Sequence, residues 1–511
     1  MRITNNMILH NTSSNINGNK INVDKMNNQM SSEKKIQRPS EDPVIAIRSL
    51  RLRSALSEIN QYYTRNIPDA ESWLEVTETA ITNMEKTVAA VRDQCVAGTN
   101  DPLTDEDRST ILEQMNKLRE QAYAEGNADY AGRSVFTGFH TDQKLTFMTE
   151  DKKTKYEITQ KLSYKNIEEF RYHSGDVTMP NTADEVENNP ISDPDEAVFQ
   201  RLRLSYNKVD ADITINYTQP GIDGATGDPV VNEVALTPTV YERYSDWAAA
   251  NGGTYAIPDG EAVFIQETGE LIFSDSLAAS LKGDKSEITI EYSKTGFSKG
   301  EVRPEYYYDC KNVTDPANPI TYTKFDENGK EIYQDINYRI SGSQTLNVNT
   351  SASDVFDANL GRDMDEMIIA VERGINAAKK VSDLKEMAKM EEYSSPESQA
   401  KLKKWIAAAE KESAYADANI QKLYNSYIGK CDTYLNKINL ALTTVGTKGD
   451  TLELVKGRMA NEKTSMEGLL STNEDRELSD IIIDYTAAYN AYQASLQAGA
   501  KVNQNTLLNY I

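Results

Sequence analysis

The hydrophobic pattern is clearest near the C-terminus, where residues 485–500 carry no charged side chain. Large apolar residues recur there at alternating spacings of four and three, which is the heptad spacing of a coiled coil. They are Leu478, Ile482, Tyr485, Tyr489, Tyr492 and Leu496. Ile483 and several alanines lie outside this stripe, where a solvated helix carries Lys and Glu. We therefore predict a helix that is buried on most sides, and we interpret it as a surface that packs against other chains.

The N-terminus repeats this spacing. Its heptad positions are Leu9, Thr12, Ile16, Asn19, Val23, Met26 and Met30. A polar residue such as Asn19 in a coiled-coil contact can fix the register at some cost in stability. Nine of the first 32 residues are Asn, a poor helix former, so we expect this helix to become ordered only when packed. An ordinary helix pair within one chain is the alternative interpretation.

The segment between Pro39 and residue 125 predicts long packed helices. Ser40 or Asp42 is placed to cap a helix over residues 44–66, and Pro68 permits a new start. A regular heptad pattern then predicts a long buried helix; its positions are Leu74, Thr77, Ile81, Met84, Val88, Val91 and Cys95. Gly98 and Pro102 are expected to end it. Thr104 with Asp107 is the capping pair of a further helix that reaches about residue 125.

The period changes at Tyr130, and residues 144–356 are predicted to be β-rich. Alternating segments at 213–217, 262–265, 288–292 and 336–340 are separated by Gly, Pro, Asn and Asp. Asn328 followed by Gly329 indicates a hairpin turn. The tyrosines at 306–308 could contact a glycan or a partner, although a strand of the β region is the favoured interpretation.

Helical periodicity resumes near Asp363 and continues to the C-terminus, with predicted breaks at residues 394–396 and 471–475. The predicted fold class is therefore mainly α with an inserted β region. We expect terminal coiled-coil segments at 1–40 and 474–511, a helical rod domain at 41–142 and 357–473, and inserted β-rich outer domains at 143–356.

Composition narrows the functional classes. Hydrophobic residues make up 39% and charged residues 26% of the 511-residue chain, as in soluble proteins. The formal charge of −24 argues against nucleic-acid binding. Residues 1–66 instead hold ten Lys and Arg against five Asp and Glu, a net of about +5. This basic segment is either a solvated face or a segment read by an acidic partner. Polar residues interrupt the C-terminal apolar run, so a membrane span is not predicted.

Candidate chemistry is sparse. The three histidines have no zinc-protease spacing, and the glycines at 221–228 match neither the dinucleotide nor the phosphate-loop motif. Cys95, Cys310 and Cys431 have no metal-ligand spacing, and Cys95 is expected to be a small buried hydrophobe. We predict no enzymatic activity, no cofactor and no metal.

Four motifs carry a family resemblance. They are MRITNNM at 1–7, RPSEDPVIA at 38–46, GRSVFTGF at 132–139 and AYQASLQAGAKVNQNTLLNYI at 491–511. Together they resemble the flagellin-like hook-associated family over roughly residues 1–142 and 440–511. The resemblance implies a secreted, extracellular structural subunit located where the bacterial flagellar hook meets the filament. It also implies export without a cleaved signal peptide, and none is apparent at the N-terminus.

The resemblance implies partners as well. They are further copies of this chain in a ring, a hook-associated protein on the hook side, flagellin or an adjoining hook-associated protein on the filament side, and an export chaperone. The nearest rival is flagellin itself. A surface adhesin would need an anchor or a signal peptide that the sequence does not reveal, and an enzyme within 145–350 is a more distant rival.

Overall fold

A computed structural model of the protein describes residues 5–99, 104–222 and 229–504. Long helices flank a region of short strands, and the predicted fold class is confirmed. The helices are α1 (Asn5–Ser32), α2 (Pro43–Gln61), α3 (Ile67–Thr99), α4 (Asp105–Gly126), α5 (Ala183–Asn188), α6 (Tyr244–Ala250), α7 (Asp275–Gly283), α8 (Ala352–Val355), α9 (Leu360–Met387), α10 (Pro396–Glu474) and α11 (Leu478–Gln504).

The strands lie between α4 and α9. They are β1 (Asp129–Tyr130), β2 (Arg133–Ser134), β3 (Asp151–Ser163), β4 (Glu168–Ser174), β5 (Asp195–Arg203), β6 (Ile213–Ile222), β7 (Pro229–Leu236), β8 (Thr239–Tyr241), β9 (Ala262–Ile265), β10 (Glu270–Phe273), β11 (Glu287–Phe297), β12 (Asp309–Asn312), β13 (Ile320–Tyr322), β14 (Asn337–Arg339) and β15 (Thr345–Asn347). One sheet has the order β4-β5-β10-β9-β8 and the other β13-β12-β3-β11-β6-β7. Pairing within both is antiparallel except for β8 with β9.

The chain forms two compact units. Unit 1 contains the described residues of Met1–Glu71, Tyr338–Leu346 and Gly449–Ile511. Unit 2 contains those of Ser72–Asn337 and Asn347–Lys448. The three-part division predicted from the sequence stays a prediction.

The beginning of α2 follows from its cap. The Asp42 carboxylate accepts hydrogen bonds from the backbone N–H of Val44 at 3.0 Å and of Ile45 at 3.1 Å, and Pro43 occupies the first turn. This satisfies amides that otherwise lack partners at a helix start. Of the two predicted caps, Asp42 is therefore the one that the structure uses.

The expectation of a new start at Pro68 is wrong, because α2 passes into α3 through a π-helical turn. This turn spans Tyr62–Asn66, and the backbone N–H of Ile67 bonds to the carbonyl of Tyr62, five residues earlier. Pro68 has no N–H to give to the carbonyl four residues before it. A widened turn before the proline lets the helix continue.

The predicted heptad of α3 is confirmed, since all seven of its residues are buried. The capping prediction for α4 is confirmed too: the hydroxyl of Thr104 accepts a bond from the Asp107 N–H, and the Asp107 carboxylate accepts one from the Thr104 N–H. Pro102, expected to help end α3, lies outside the described residues.

The break predicted at 394–396 is confirmed at the start of α10. The second break is shorter than predicted, because α10 continues to Glu474 and only residues 475–477 separate it from α11. Helical glycines such as Gly446 and Gly449 do not interrupt α10. Each costs about 1 kcal/mol relative to Ala, and burial of the neighbouring Leu452 and Val455 offsets that cost.

The two large sheets and the helix α7 share one hydrophobic core, which includes Phe264, Leu271 and Ile290. The four predicted strand segments are confirmed in β6, β9, β11 and β14.

The strand expected at residues 306–308 is absent, so that prediction is wrong. A 3₁₀ turn over Pro304–Tyr306 precedes β12, and Tyr306 and Tyr307 are buried. The turn predicted at 328–329 is present, with Gly329 at φ +75°. Residues 223–228, most of the glycine run, lie outside the described residues.

A buried charge cluster ties the five-stranded sheet to α9 and α10 within unit 2. Arg201 of β5 binds Glu366 of α9 at 2.6 Å and Glu270 of β10 at 2.6 Å. Arg203 also reaches Glu366, at 2.5 Å, as well as Asp363. Burial alone would raise the pKa of Glu366, but the charges of Arg201 and Arg203 outweigh it and hold that pKa below the ordinary carboxyl value.

The β14–β15 hairpin contributes its tip to unit 1. The side-chain amide of Asn66 donates to the carbonyl of Arg339 at 2.8 Å, and the Arg339 guanidinium lies 5.8 Å from the ring centre of Tyr62. Tyr338 donates a hydrogen bond to Asp69. The tip therefore packs directly on the π-helical turn and the first turn of α3.

Candidate assembly interface

The predicted assembly residues all lie on α1 and α11, which pack against each other within unit 1. Along α1, partial burial recurs with the predicted heptad spacing at Thr12, Ile16, Asn19, Val23, Met26 and Met30. Leu9 lies at the exposed end, and most of the remaining surface of α1 is exposed. The N-terminal heptad thus describes the side of α1 that faces α11.

On α11 the side that faces α1 follows a different heptad from the one formed by its large apolar residues. Its less exposed positions are Ile481, Tyr485, Ala488, Tyr492, Ser495, Gly499 and Val502. Of the predicted residues, only Tyr485 and Tyr492 belong to this heptad. Leu478, Ile482, Tyr489 and Leu496 remain 42–47% exposed. The sequence signal for the contacting side is the presence of small residues, Ala488, Ser495 and Gly499, at three of its heptad positions, and a search for large apolar residues passes over these positions.

The small residues permit a close approach of the two helices. A Cβ atom built at Gly499 would lie 2.9 Å from Cδ1 of Ile16 and 3.3 Å from Cγ2 of Thr12. Asn19, the predicted register residue, points its amide at the carbonyl of Ala491 with a donor–acceptor distance of 3.5 Å. That distance is long for a hydrogen bond. Steric fit therefore fixes this helix pair more than polar pairing does.

We name the outward side of α11 the apolar strip; it comprises Leu478, Ile482, Ile483, Tyr489 and Leu496. The rings of Tyr485 and Tyr489 stack with centroids 6.1 Å apart, which holds Tyr489 at the surface. Near the N-terminus of α1, Met7 and Ile8 are exposed as well. Exposed large apolar side chains that recur along one helix in this way are typical of sites of protein–protein contact.

A polar junction lies where α1 and α10 end and α11 begins. The Arg53 guanidinium donates two hydrogen bonds to the Glu474 carboxylate, with lengths of 2.8 and 2.6 Å. Those bonds hold the pKa of Glu474 below its ordinary value. The backbone N–H of Lys35 donates to the Glu474 carbonyl at 2.7 Å, and that of Arg476 donates to the Glu33 carbonyl at 2.9 Å. The junction thus fixes where the helix pair starts.

Metal-ligating groups and membrane-spanning helices were also sought among the described residues. Within residues 5–99, 104–222 and 229–504, no group of three or more His, Cys, Asp or Glu side chains could hold a metal ion. Across the same ranges, no helix combines the length and apolar character needed to cross a membrane. The candidate site is therefore a surface for contact with other chains: one side of α11 packs against α1, and the apolar strip on its other side is exposed.

Comparison with known families gives a match at the N-terminus. The family described as the bacterial flagellin N-terminal helical region matches residues 3–141. Flagellar hook-associated protein 3 of Escherichia coli (strain K12) is 26% identical over 176 residues, which cover 34% of this chain and 53% of that protein. The protein of the same name in Salmonella typhimurium is 27% identical over 144 residues, which cover 28% of this chain and 45% of that protein. The chain thus spans about half the length of the curated relatives it matches.

Solved structures with related names align along most of the chain but with low similarity. A flagellar hook-associated protein from Vibrio parahaemolyticus has a TM-score of 0.34 and 14% identity, covering 85% of this chain and 100% of that one. The flagellar junction protein FlgL from Legionella pneumophila has a TM-score of 0.28 and 11% identity, covering 84% and 99%. TM-scores this low do not establish that the structures share a fold with this chain. The resemblance drawn from the sequence motifs is confirmed by the family match and the sequence relatives.

Proposed function

We propose that this chain is a secreted structural subunit of the bacterial flagellum that joins hook to filament. The observation that carries the proposal is the apolar strip on a helix pair formed by the two ends of the chain. The names of the sequence relatives support the hook-associated role over that of the filament subunit. A structural role requires surfaces for neighbours, and the strip is such a surface.

The proposed mechanism is completion of the helix pair by neighbouring subunits. In one chain α1 and α11 cover only one side of each other, so the apolar strip stays in contact with water. Covering it with the strips of further copies in a ring would bury apolar surface worth about 25 cal/mol per Å². This gain offsets the entropy of ordering an Asn-rich helix at the moment of assembly.

We propose four kinds of partner for this chain. Further copies of this chain are the lateral neighbours, with a hook-associated protein on the hook side. Flagellin or an adjoining hook-associated protein lies on the filament side. An export chaperone that covers the apolar strip before assembly is the fourth proposed partner, because exposed apolar surface invites premature association.

Immunogold electron microscopy of intact flagella tests the location. Antibody raised against residues 145–350 should label a single band where hook meets filament. Label along the whole filament would make the chain a flagellin, and label on the cell body would favour a surface adhesin. Either of those two results would overturn the proposed junction role.

A charge placed in the apolar strip tests the mechanism. Tyr489 and Leu496 are exposed, so Tyr489→Asp with Leu496→Asp should leave unit 2 folded while reducing incorporation into flagella at least tenfold. Tyr492 is left unchanged because it faces α1. The matched control is Asn490→Asp with Gln493→Asp, which adds the same charge to exposed polar positions of the same helix. Immunoblots of sheared flagella measure incorporation, and equal incorporation of the two variants would contradict the mechanism.

A further inference from the structure

Three sulfur atoms from three helices of unit 2 meet in its interior. Cys95 of α3 is fully buried, and Cys431 of α10 is 2% exposed. The Sγ atom of Cys95 lies 3.4 Å from Sδ of Met367 on α9. Interaction with the Cys431 thiol, together with burial, raises the pKa of the Cys95 thiol. Both cysteines are in the free form.

Contacts on either side hold α3 and α10 close together at this point. One turn before Cys95, the Arg92 Nε atom lies 2.7 Å from Oδ1 of Asp432, the residue that follows Cys431. One turn after Cys95, a Cβ atom built at Gly98 would lie 2.2–2.7 Å from the ring of Tyr424. A disulfide needs Cα atoms about 4.4–6.8 Å apart, and glycine at such a crossing permits that approach.

We infer that Cys95 and Cys431 are the site of one intramolecular disulfide that joins α3 to α10. The inference rests on the contacts inside unit 2 and does not depend on the proposed flagellar role. Cys310 lies elsewhere, on β12 in the core shared by the two large sheets. It is therefore the natural internal control.

The chemistry is thiol–disulfide exchange with a low-molecular-weight disulfide as the oxidant. The thiolate of one cysteine attacks the small disulfide, forming a mixed disulfide and releasing one small thiolate. The second cysteine thiolate then attacks the protein-bound sulfur of the mixed disulfide and releases the other small thiolate. The two protons lost by the cysteines end on the two released thiols, so two protein thiols are oxidised as one small disulfide is reduced.

The bond would close a loop around the whole β-rich region. The chain leaves Cys95 towards α4, passes through every strand and α9, and returns to Cys431 on α10. A disulfide that closes a loop of this length restricts the unfolded chain strongly. It would also keep the two flanking helices covalently joined if the sheets opened. Because both thiols are buried and out of reach of a dissolved oxidant in the folded chain, the exchange must take place while the chain folds.

The experiment is refolding of the full-length chain from urea in a buffer of oxidised and reduced glutathione. Free thiols are then alkylated, and the digest is analysed by mass spectrometry without reduction. The expected result is a Cys95–Cys431 linked peptide together with alkylated Cys310. The oxidised protein should melt at least ~5 °C higher than the reduced one, followed by circular dichroism.

Three single variants make the test specific. Cys310→Ala should keep the cross-link and the shift, whereas Cys95→Ala and Cys431→Ala should each lose both. If an alanine variant does not fold, the peptide map of the unaltered chain still decides. Three alkylated cysteines, a bridge to Cys310, or glutathione remaining on Cys95 or Cys431 would each overturn the inference.

Discussion

Helices α1 and α3 carry the same heptad spacing but bury it to different extents. The seven heptad residues of α3 are all 3% exposed or less. In α1 the corresponding residues are only half-buried, and Leu9 reaches 36% exposure. Both helices are long, at 33 and 28 residues, so length does not explain the difference.

The difference lies in the number of neighbours. Unit 2 surrounds its helices with other helices: α4 packs on α9, and α9 presents the buried Met364, Met367 and Val371. In unit 1, α1 has α11 on one side only. Heptad spacing reports which side of a helix is apolar, and the surrounding fold decides how much of that side is covered. The uncovered remainder in α11 is where we place assembly.

The largest expected effect comes from the charge cluster, which has no counterpart in the terminal helix pair. Glu366→Gln leaves the buried guanidinium groups of Arg201 and Arg203 short of one carboxylate partner and should destabilise unit 2 by about 3–5 kcal/mol. All three tryptophans, Trp73, Trp247 and Trp405, belong to unit 2, so urea unfolding followed by their fluorescence measures this change.

The same carboxylate predicts a pH dependence. Its folded-state pKa is held below the ordinary value, so its stabilising contribution is complete above the unfolded-state pKa of about 4.3 and is lost as pH falls below it. The urea midpoint of the unaltered chain should therefore drop as the pH is lowered from about 5 to about 3, and the Glu366→Gln midpoint should drop less over the same range. Parallel curves would show that this carboxylate does not carry the dependence.

Matched isoleucines test the comparison of α1 with α3 directly. Ile81→Ala creates a cavity at a fully buried site of α3 and should cost about 2–5 kcal/mol. Ile16→Ala makes the same chemical change in α1, in unit 1. At this half-buried site it should cost less than Ile81→Ala does. Because no tryptophan lies in unit 1, hydrogen exchange of the α1 amides measures this cost. Equal losses of stability in the two variants would contradict the distinction between covered and uncovered heptads.

Matched glycines give the smallest effects. Gly499→Leu forces a side chain into the contact with Ile16 and should weaken the α1–α11 pair by about 1–3 kcal/mol. Gly18→Ala, at an α1 position with no atom within 4 Å of the added Cβ, should strengthen the helix by about 0.5–1 kcal/mol. Hydrogen exchange of α1 amides, read by mass spectrometry, should become faster in the first variant and slower in the second.

Much of the fold could be predicted because its signals are local. The α3 heptad, the Asp42 cap and the Thr104–Asp107 capping pair depend on residues within a few turns of one another. The charge cluster could not be predicted, because Arg201 and Glu366 meet only through the docking of a strand on a distant helix. The burial of Tyr306 and Tyr307 likewise depends on packing that sequence spacing does not reveal.

The candidate interface was predictable in part. On α1 the large residues and the contacting side coincide, so the pattern locates the contact with α11. On α11 they do not, since Ala488, Ser495 and Gly499 pack against α1 while the larger side chains point outward. Apolar periodicity identifies the side of α11 that carries the larger apolar side chains. Close packing against α1 instead uses the side that carries the small ones.

The β14–β15 hairpin limits how such a chain can be rebuilt by exchange of parts. Residues 338–346 belong to unit 1 although they are encoded among the strands, and Gln344 is bonded by Arg458 of α10 at 2.6 Å. A chimera that replaces the whole stretch between α4 and α9 would therefore remove residues 338–346 from unit 1. Grafts that keep this hairpin and change the strands before it follow the natural boundary, so variation in the β-rich region is expected to stop short of residue 338.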